Sequence, residues 1–211
     1  MTTTEDTRTF YDTIAEDYAD HFRGVHLAKP LDRAVLAAFA ELVPADRGPV
    51  ADLGCGPGWI TAHLASLGLP VFGLDLSEGM LTVARRHYPE LPFEQGSMLE
   101  LPVADEALGG AVSWYSTIHT PLDRLPALFA EIRRVLAPGA PLLTAFQAGD
   151  VPRRHDRPFG HRVTLDFERR RPELMAELLR GAGFDVRHRL VSEPDESLGE
   201  PTPHAYLIAR R

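Results

Sequence analysis

The stretch DLGCGPGW, residues 52–59, places Gly54, Gly56 and Gly58 at alternate positions directly after the apolar run PVADL and just before a helical pattern. Glycine adopts positive φ without penalty and carries no Cβ, so such a turn lets backbone approach a ligand closely. The rest of the chain repeats the theme, alternating short apolar runs with amphipathic stretches. That alternation predicts an α/β fold, a doubly wound and mostly parallel sheet with crossover helices, Rossmann-like in architecture.

Strands are expected at 49–53, 70–76, 92–96, 110–115, 141–146, 184–191 and 204–210, seven in all. The first five are short and apolar, as strands covered on both faces tend to be. Helices are expected at about 59–67, 79–88, 123–136 and 172–182, with Pro172 at a first helical position and Gly139 and Gly183 as stop signals. Only a short loop joins the last two strands, which predicts an antiparallel hairpin at a sheet edge. Two more helical stretches precede the first strand. In the earlier one Phe10, Ile14, Tyr18 and Phe22 form a stripe at four-residue spacing. It reads either as a cap on the sheet edge or as a lid, within residues 1–45, whose Tyr11 and Tyr18 close over a ligand.

With 211 residues the chain fits one domain spanning 1–211. No apolar run reaches the roughly 20 residues of a membrane span, and the polar start MTTTEDTRTF lacks a signal-peptide core, so a cytoplasmic protein without a membrane partner is expected. A net charge of -8 argues against a nucleic-acid partner, because phosphate neutralisation dominates such binding. Cys55 is the only cysteine, which excludes an intrachain disulfide and a cysteine-based zinc site. Lys29 is the one lysine among 22 basic residues, a bias that fits a high-GC bacterium and its secondary metabolism. The expected assembly is a monomer or homodimer.

Asp75 ends the second predicted strand, about as far beyond the glycine turn as the acid that takes ribose hydroxyls in dinucleotide folds. The dinucleotide fingerprint, however, needs its third glycine where this chain has Trp59. Asp52 beside the turn would repel a pyrophosphate and attract an ammonium group. The ligand is therefore expected to carry both adenosine and positive charge.

On these residues the sequence resembles the class I S-adenosylmethionine-dependent methyltransferases. VADLGCGPG is similar to that family's first motif, VFGLDLSEGML to the second and EQGSMLELP to the third. AVSWYSTIHT and RRVLAPGAPLL resemble the fourth-strand motif and the approach to the fifth strand, and FYDTIAEDYAD resembles the cofactor-covering helix. The resemblance implies S-adenosyl-L-methionine as cofactor and S-adenosyl-L-homocysteine as product. It implies a loop of Gly54, Cys55, Gly56 and Gly58, the ammonium partner Asp52, and the ribose acid Asp75 with Leu76 and Met80 beside it. Ser97 and Met98 would contact adenine, Ser97 standing where many relatives have an acid, and Tyr11, Tyr18 and Tyr115 would complete the pocket.

The implied reaction is methyl transfer to oxygen or nitrogen of a small-molecule acceptor. Other readings of the same sheet are a non-catalytic S-adenosylmethionine-binding protein and a nicotinamide-dependent oxidoreductase. His119, after the fourth predicted strand, is the candidate base, since strand ends in such sheets face the crevice. A base of ordinary histidine character gives a rate falling below about pH 6.5, whereas a packing role gives no such limb. Trp114 and Tyr115 would shape the methionine pocket, and Cys55 is explained by its small size.

Substrate choice is expected in residues 147–171, read as a loop facing the acceptor. There Arg153, Arg154, Arg157 and Arg162 would either clamp an anion or form a plain charged surface. His155, Asp156, His161 and Asp166 lack the spacing of a metal site, so no metal is expected. His21 and His26 would either line the acceptor pocket or lie exposed.

Overall fold

The computed structural model describes residues 3–24, 28–195 and 201–211. Its main sheet has seven strands in the order β3-β2-β1-β4-β5-β9-β8. These are β1 (Val50–Leu53), β2 (Val71–Asp75), β3 (Phe93–Gln95), β4 (Gly110–Trp114), β5 (Pro141–Gln147), β8 (Asp185–Ser192) and β9 (His204–Arg210). The first five run parallel, and β9 pairs antiparallel with both β5 and β8, giving the expected hairpin at one edge.

Apolar runs account for the covered centre. Every residue of β1 and β4 is buried, as are all of β5 except Gln147. Leu128, Phe129 and Ile132 of α5 (Leu125–Val135) and Met175 and Leu179 of α6 (Pro172–Gly181) fill one core layer. Leu36 and Phe39 of α2 (Pro30–Leu42) and Ile60 and Leu64 of α3 (Trp59–Ser66) fill the other. The covered-strand expectation fails at β3, where only Phe93 is buried and Glu94 and Gln95 are exposed, because this strand forms the opposite edge.

Pro172 opens α6 as expected, and Gly183 follows that helix with φ +87°. Gly139, at φ +81°, makes the turn into β5 some residues beyond α5. Helix α1 (Thr4–His21) starts on a capping box in which Thr3 and Asp6 satisfy each other's backbone N–H groups. It lies on α4 (Glu78–His87): Asp12 Oδ1 accepts from Ser77 Oγ at 2.6 Å and from the Gly79 N–H at 2.9 Å, and Arg86 holds Glu16 with two nitrogens.

The stretch expected to be a loop contains a second, two-stranded sheet, β6 (Arg153–Asp156) paired antiparallel with β7 (Thr164–Phe167). Its strands are rich in charge, so their alternation does not read as apolar against polar. Pairing puts Arg153 opposite Phe167 and His155 opposite Leu165. The inner face carries Leu165 onto Phe10 and Ile14 of α1, and the outer face pairs Arg154 with Asp166. His161 adds a 2.7 Å bond from its Nε2 to Asp17 of α1.

Candidate active site

Strand order reverses between β1 and β4, and at such a switch point the carboxyl ends of the strands open a crevice. A cavity of about 440 Å³ lies there, walled by the ends of β1, β2 and β4, by α1, and by the β6–β7 hairpin. Tyr11, Tyr18, Asp52, Gly54, Cys55 and Gly56 line it, as do Asp75, Leu76, Met80, Ser97, Met98, Tyr115 and His119.

The glycines play different parts. Gly56, at φ +53°, has open space where a side chain would project, so its backbone faces the cavity bare. A Cβ on Gly54 would come within 2.3 Å of the Ser116 side chain, and φ is +74°. Gly58 does not line the cavity: it precedes α3 in a left-handed conformation, and a Cβ there would meet the Phe93 ring at 2.8 Å. The third glycine therefore serves close packing and not ligand approach. Cys55 is buried against Phe93, and burial pushes its thiol well above the ordinary value, in keeping with a packing role.

Two carboxylates dominate the strand ends. Asp75 accepts from the Gly56 N–H at 2.7 Å and the Ser77 N–H at 2.9 Å, which fixes both oxygens and ties the glycine loop to the acid. Burial raises its pKa, and those backbone donors work against the rise. Asp52 is fully buried in β1. Thr61 Oγ1 donates to its Oδ2 at 2.6 Å, while Oδ1 has no hydrogen-bond partner among the described residues. Burial is the main cause that pushes Asp52 up to about 7, with the charge of Asp75 adding to it. A buried carboxylate oxygen without a donor is costly unless a ligand supplies one.

The turn after β3 offers Ser97 and Met98, with Leu99 donating its N–H to Ser97 Oγ at 3.2 Å. Tyr18 stacks on Trp59 with ring centroids 6.0 Å apart, and Tyr11 meets Tyr18 edge to face. Burial pushes the Tyr18 phenol up to about 12. Trp114 also lines the cavity and packs on Tyr206, whose hydroxyl donates to the buried Asp32 at 2.6 Å. Tyr115 adopts φ +54°, a conformation that non-glycine residues hold at a cost, and its hydroxyl bonds His204 Nδ1.

His119 sits in an aromatic corner. Its Nε2 bonds the Tyr11 hydroxyl at 2.7 Å, its ring meets Phe167 edge to face at 4.8 Å, and its Nδ1 is buried with no partner among the described residues. Burial pulls its pKa down to about 3. Enclosure by Tyr11 and Phe167 thus favours the neutral imidazole.

The arginines expected as a clamp separate. Arg153 lines the cavity, but Arg154 points to the outer face with Asp166, and Arg157 and Arg162 are exposed and away from the cavity wall. Arg169, which the sequence did not single out, lines the cavity in their place. His155 faces the cavity and lies 4.1 Å, centroid to centroid, from Phe167. His21 is exposed beside Phe159 and does not line the cavity, and His26 lies outside the described residues. Among the described residues no group of His, Cys, Asp and Glu could hold a metal ion, and no helix is long and apolar enough to cross a membrane.

Residues 50–139 match the family described as "Methyltransferase domain". The O-methyltransferase cnsE of Penicillium expansum is 34% identical over 74% of this chain and 58% of its own length. The trans-aconitate 2-methyltransferase of Rhizobium meliloti is 37% identical over 52% of this chain and 41% of its own. Over residues 50–139 the chain thus carries a methyltransferase domain, and it is similar to the class I S-adenosylmethionine-dependent methyltransferases.

Among solved methyltransferase-type folds, the DhpI–SAH complex is 25% identical with a TM-score of 0.70, covering 98% of this chain and 96% of that one. The [4+2]-cyclase SpnF has a TM-score of 0.73 at 18% identity over 100% of this chain and 96% of its own, a likeness of fold alone. The chain spans less than two thirds of the length of the curated relatives it matches. The family's cofactor is S-adenosylmethionine, and the bare Gly56 backbone, the donor-less Asp52 oxygen and the fixed Asp75 carboxylate suit its ammonium and ribose groups.

Proposed function

We propose that the chain binds S-adenosylmethionine at the Asp52–Asp75 end of the cavity and transfers its methyl group to an oxygen or nitrogen of a small molecule held at the hairpin end. The observation that carries this reading is the buried, unpartnered Oδ1 of Asp52 beside a glycine loop already hydrogen-bonded to a second acid. Asp52 takes the ammonium, Asp75 the ribose hydroxyls, and Ser97, Met98 and Leu99 the adenine, with Tyr11 and Tyr18 above. Two relatives named for small acceptors, a trans-aconitate and a demethylmenaquinone methyltransferase, support the acceptor class.

When bound, the cofactor supplies a methyl group already activated by sulfonium charge. The chain's own work is alignment and exclusion of water. α1 and the hairpin close the cavity from one side, and the rings of Tyr11, Trp59, Trp114 and Phe167 wall it. His119, neutral and tied to Tyr11, acts as a hydrogen-bonding partner that orients the acceptor. Full proton uptake from a phenol of pKa about 10 by a ring whose pKa is about 3 is steeply uphill. The rate then shows no limb near pH 6.5, and His119→Ala lowers turnover about tenfold, the weight of one hydrogen bond. A limb near pH 6.5 that the variant abolishes would restore the base role.

The direct test of the reading is calorimetry with S-adenosylhomocysteine and NAD, followed by transfer of a labelled methyl group across an acceptor panel. Micromolar or tighter S-adenosylhomocysteine binding, no NAD heat and labelled product are expected. Heat from NAD alone would overturn the cofactor assignment. S-adenosylhomocysteine binding with no product from the panel would leave a binding protein, since this fold does not by itself fix the reaction.

A further inference from the structure

The hairpin end of the cavity differs in charge from the strand end. Residues 153, 155, 165 and 167 share one face of the paired β6–β7 strands, and Arg169, two residues beyond β7, lines the cavity beside them. Leu165 fills the contact with α1, which leaves Arg153, His155, Phe167 and Arg169 on the cavity wall.

Of the other arginines in this segment, Arg157 and Arg162 are exposed and away from the cavity wall, and three are paired with acids. Arg154 pairs with Asp166, Arg170 with Glu168 and Arg171 with Asp150. Arg153 and Arg169 have no carboxylate partner among the described residues, although acids are plentiful in this segment and in a chain of net charge -8. Both guanidiniums act on the imidazole of His155 and, after burial, help hold it in its neutral form. The same wall is planar and apolar otherwise: the His155 and Phe167 rings lie 31° apart in plane, with the Tyr11 and His119 rings beyond them. Both guanidiniums line the cavity and face the same imidazole, and a planar carboxylate matches their fork geometry.

We propose that the acceptor is a small planar carboxylate, its anionic group held by Arg153 and Arg169 and its ring or conjugated plane seated against Phe167. The proposal rests on the methyltransferase reading in placing the acceptor at this end. It also explains the opposite charges of the two ends: carboxylates receive the cationic cofactor, and guanidiniums receive an anionic acceptor. Each end repels the other's ligand, which fixes the orientation of both.

The test uses the intact chain and its only two tryptophans, Trp59 and Trp114, both on the cavity wall, as fluorescence reporters. 4-Hydroxybenzoate and its uncharged analogue 4-hydroxybenzamide are titrated with and without S-adenosylhomocysteine. The benzoate is expected to bind at least about tenfold more tightly than the amide, a preference that shrinks with added salt. Arg153→Gln and Arg169→Gln should each remove most of the preference, while Arg154→Gln, on the outer face, should keep it. Melting curves and S-adenosylhomocysteine affinity, both unchanged, show that the variants are folded.

Equal binding of the two probes, binding of neither, or a preference that survives in both cavity variants would overturn the proposal. Loss of S-adenosylhomocysteine binding in the wild-type chain would instead sink the cofactor reading. The titrations run without that ligand would still read the arginine pair.

Discussion

The two ends of one cavity are built by different means. At the strand end, Asp52 and Asp75 sit on neighbouring parallel strands whose register aligns Asp52 with Gly73, and a glycine loop bonded to Asp75 leaves no slack. At the hairpin end, Arg153 projects from a small, mostly exposed two-stranded sheet and Arg169 follows it. This sheet meets the rest of the domain through Leu165 and Phe167 beside Phe10, Phe167 against His119, and a His161–Asp17 contact. A rigid end suits a ligand common to a whole family. The hairpin end, where we place acceptor choice, lies outside the main sheet and can change its side chains without disturbing that sheet.

The contrast predicts unequal tolerance of the same small change, and this is the largest expected effect. Gly54→Ala places a Cβ 2.3 Å from Ser116 in a left-handed backbone, so overpacking and conformational strain add to a loss of about 2–5 kcal/mol. Gly160→Ala at the hairpin tip has the same positive φ but open space around it, and should cost only about 1–2 kcal/mol. Urea unfolding of both variants checks this, and equal losses would break the comparison.

A second, smaller effect isolates the charge of the strand end. Because burial raises Asp52 to about 7, its folded form keeps a proton that the unfolded chain gives up near pH 4. Its contribution to stability therefore falls as pH rises from about 4 to 7 and is flat above. Asp52→Asn should melt higher than wild type at pH 8 and nearly alike at pH 4. The ammonium group, by contrast, selects the ionised carboxylate. S-adenosylhomocysteine affinity should weaken by up to about tenfold per pH unit below pH 7 in wild type, and the asparagine variant should show no such slope and weaker binding at pH 8. A flat wild-type profile would remove the ammonium role.

The smallest effect concerns the element that joins the two ends. α1 is latched to α4 through Asp12 and carries both Tyr11 and Tyr18. If it is a lid, hydrogen exchange over residues 8–22 should slow when S-adenosylhomocysteine binds, while a static cap exchanges equally in both states.

The strand end was legible in the sequence because its signals are local. Apolar runs marked β1, β2, β4 and β5, the glycines marked the turn, and Asp52 and Asp75 stood at strand ends. What escaped were matters of distance. Thr61 reaches Asp52 because α3 folds back over β1, and the neutral state of His119 depends on Tyr11 and Phe167, each far from it in the chain. The hairpin was missed because RRHD and TLDF carry charge on both faces, so period-two alternation showed no apolar side until pairing placed Arg153 across from Phe167. Of the four arginines offered as a clamp or a plain charged surface, Arg153 lines the cavity and Arg154, Arg157 and Arg162 do not, and Arg169, which also lines it, was overlooked.

The division of the cavity is tested most directly by one calorimetric series, S-adenosylhomocysteine titrated into wild type, Asp75→Ala and Arg169→Gln. Removing a charged partner from the ribose should weaken binding by about 1.5–3 kcal/mol in Asp75→Ala, and Arg169→Gln should match wild type. Equal weakening in both variants, or loss only in Arg169→Gln, would contradict a cavity divided into an acidic cofactor end and a basic acceptor end.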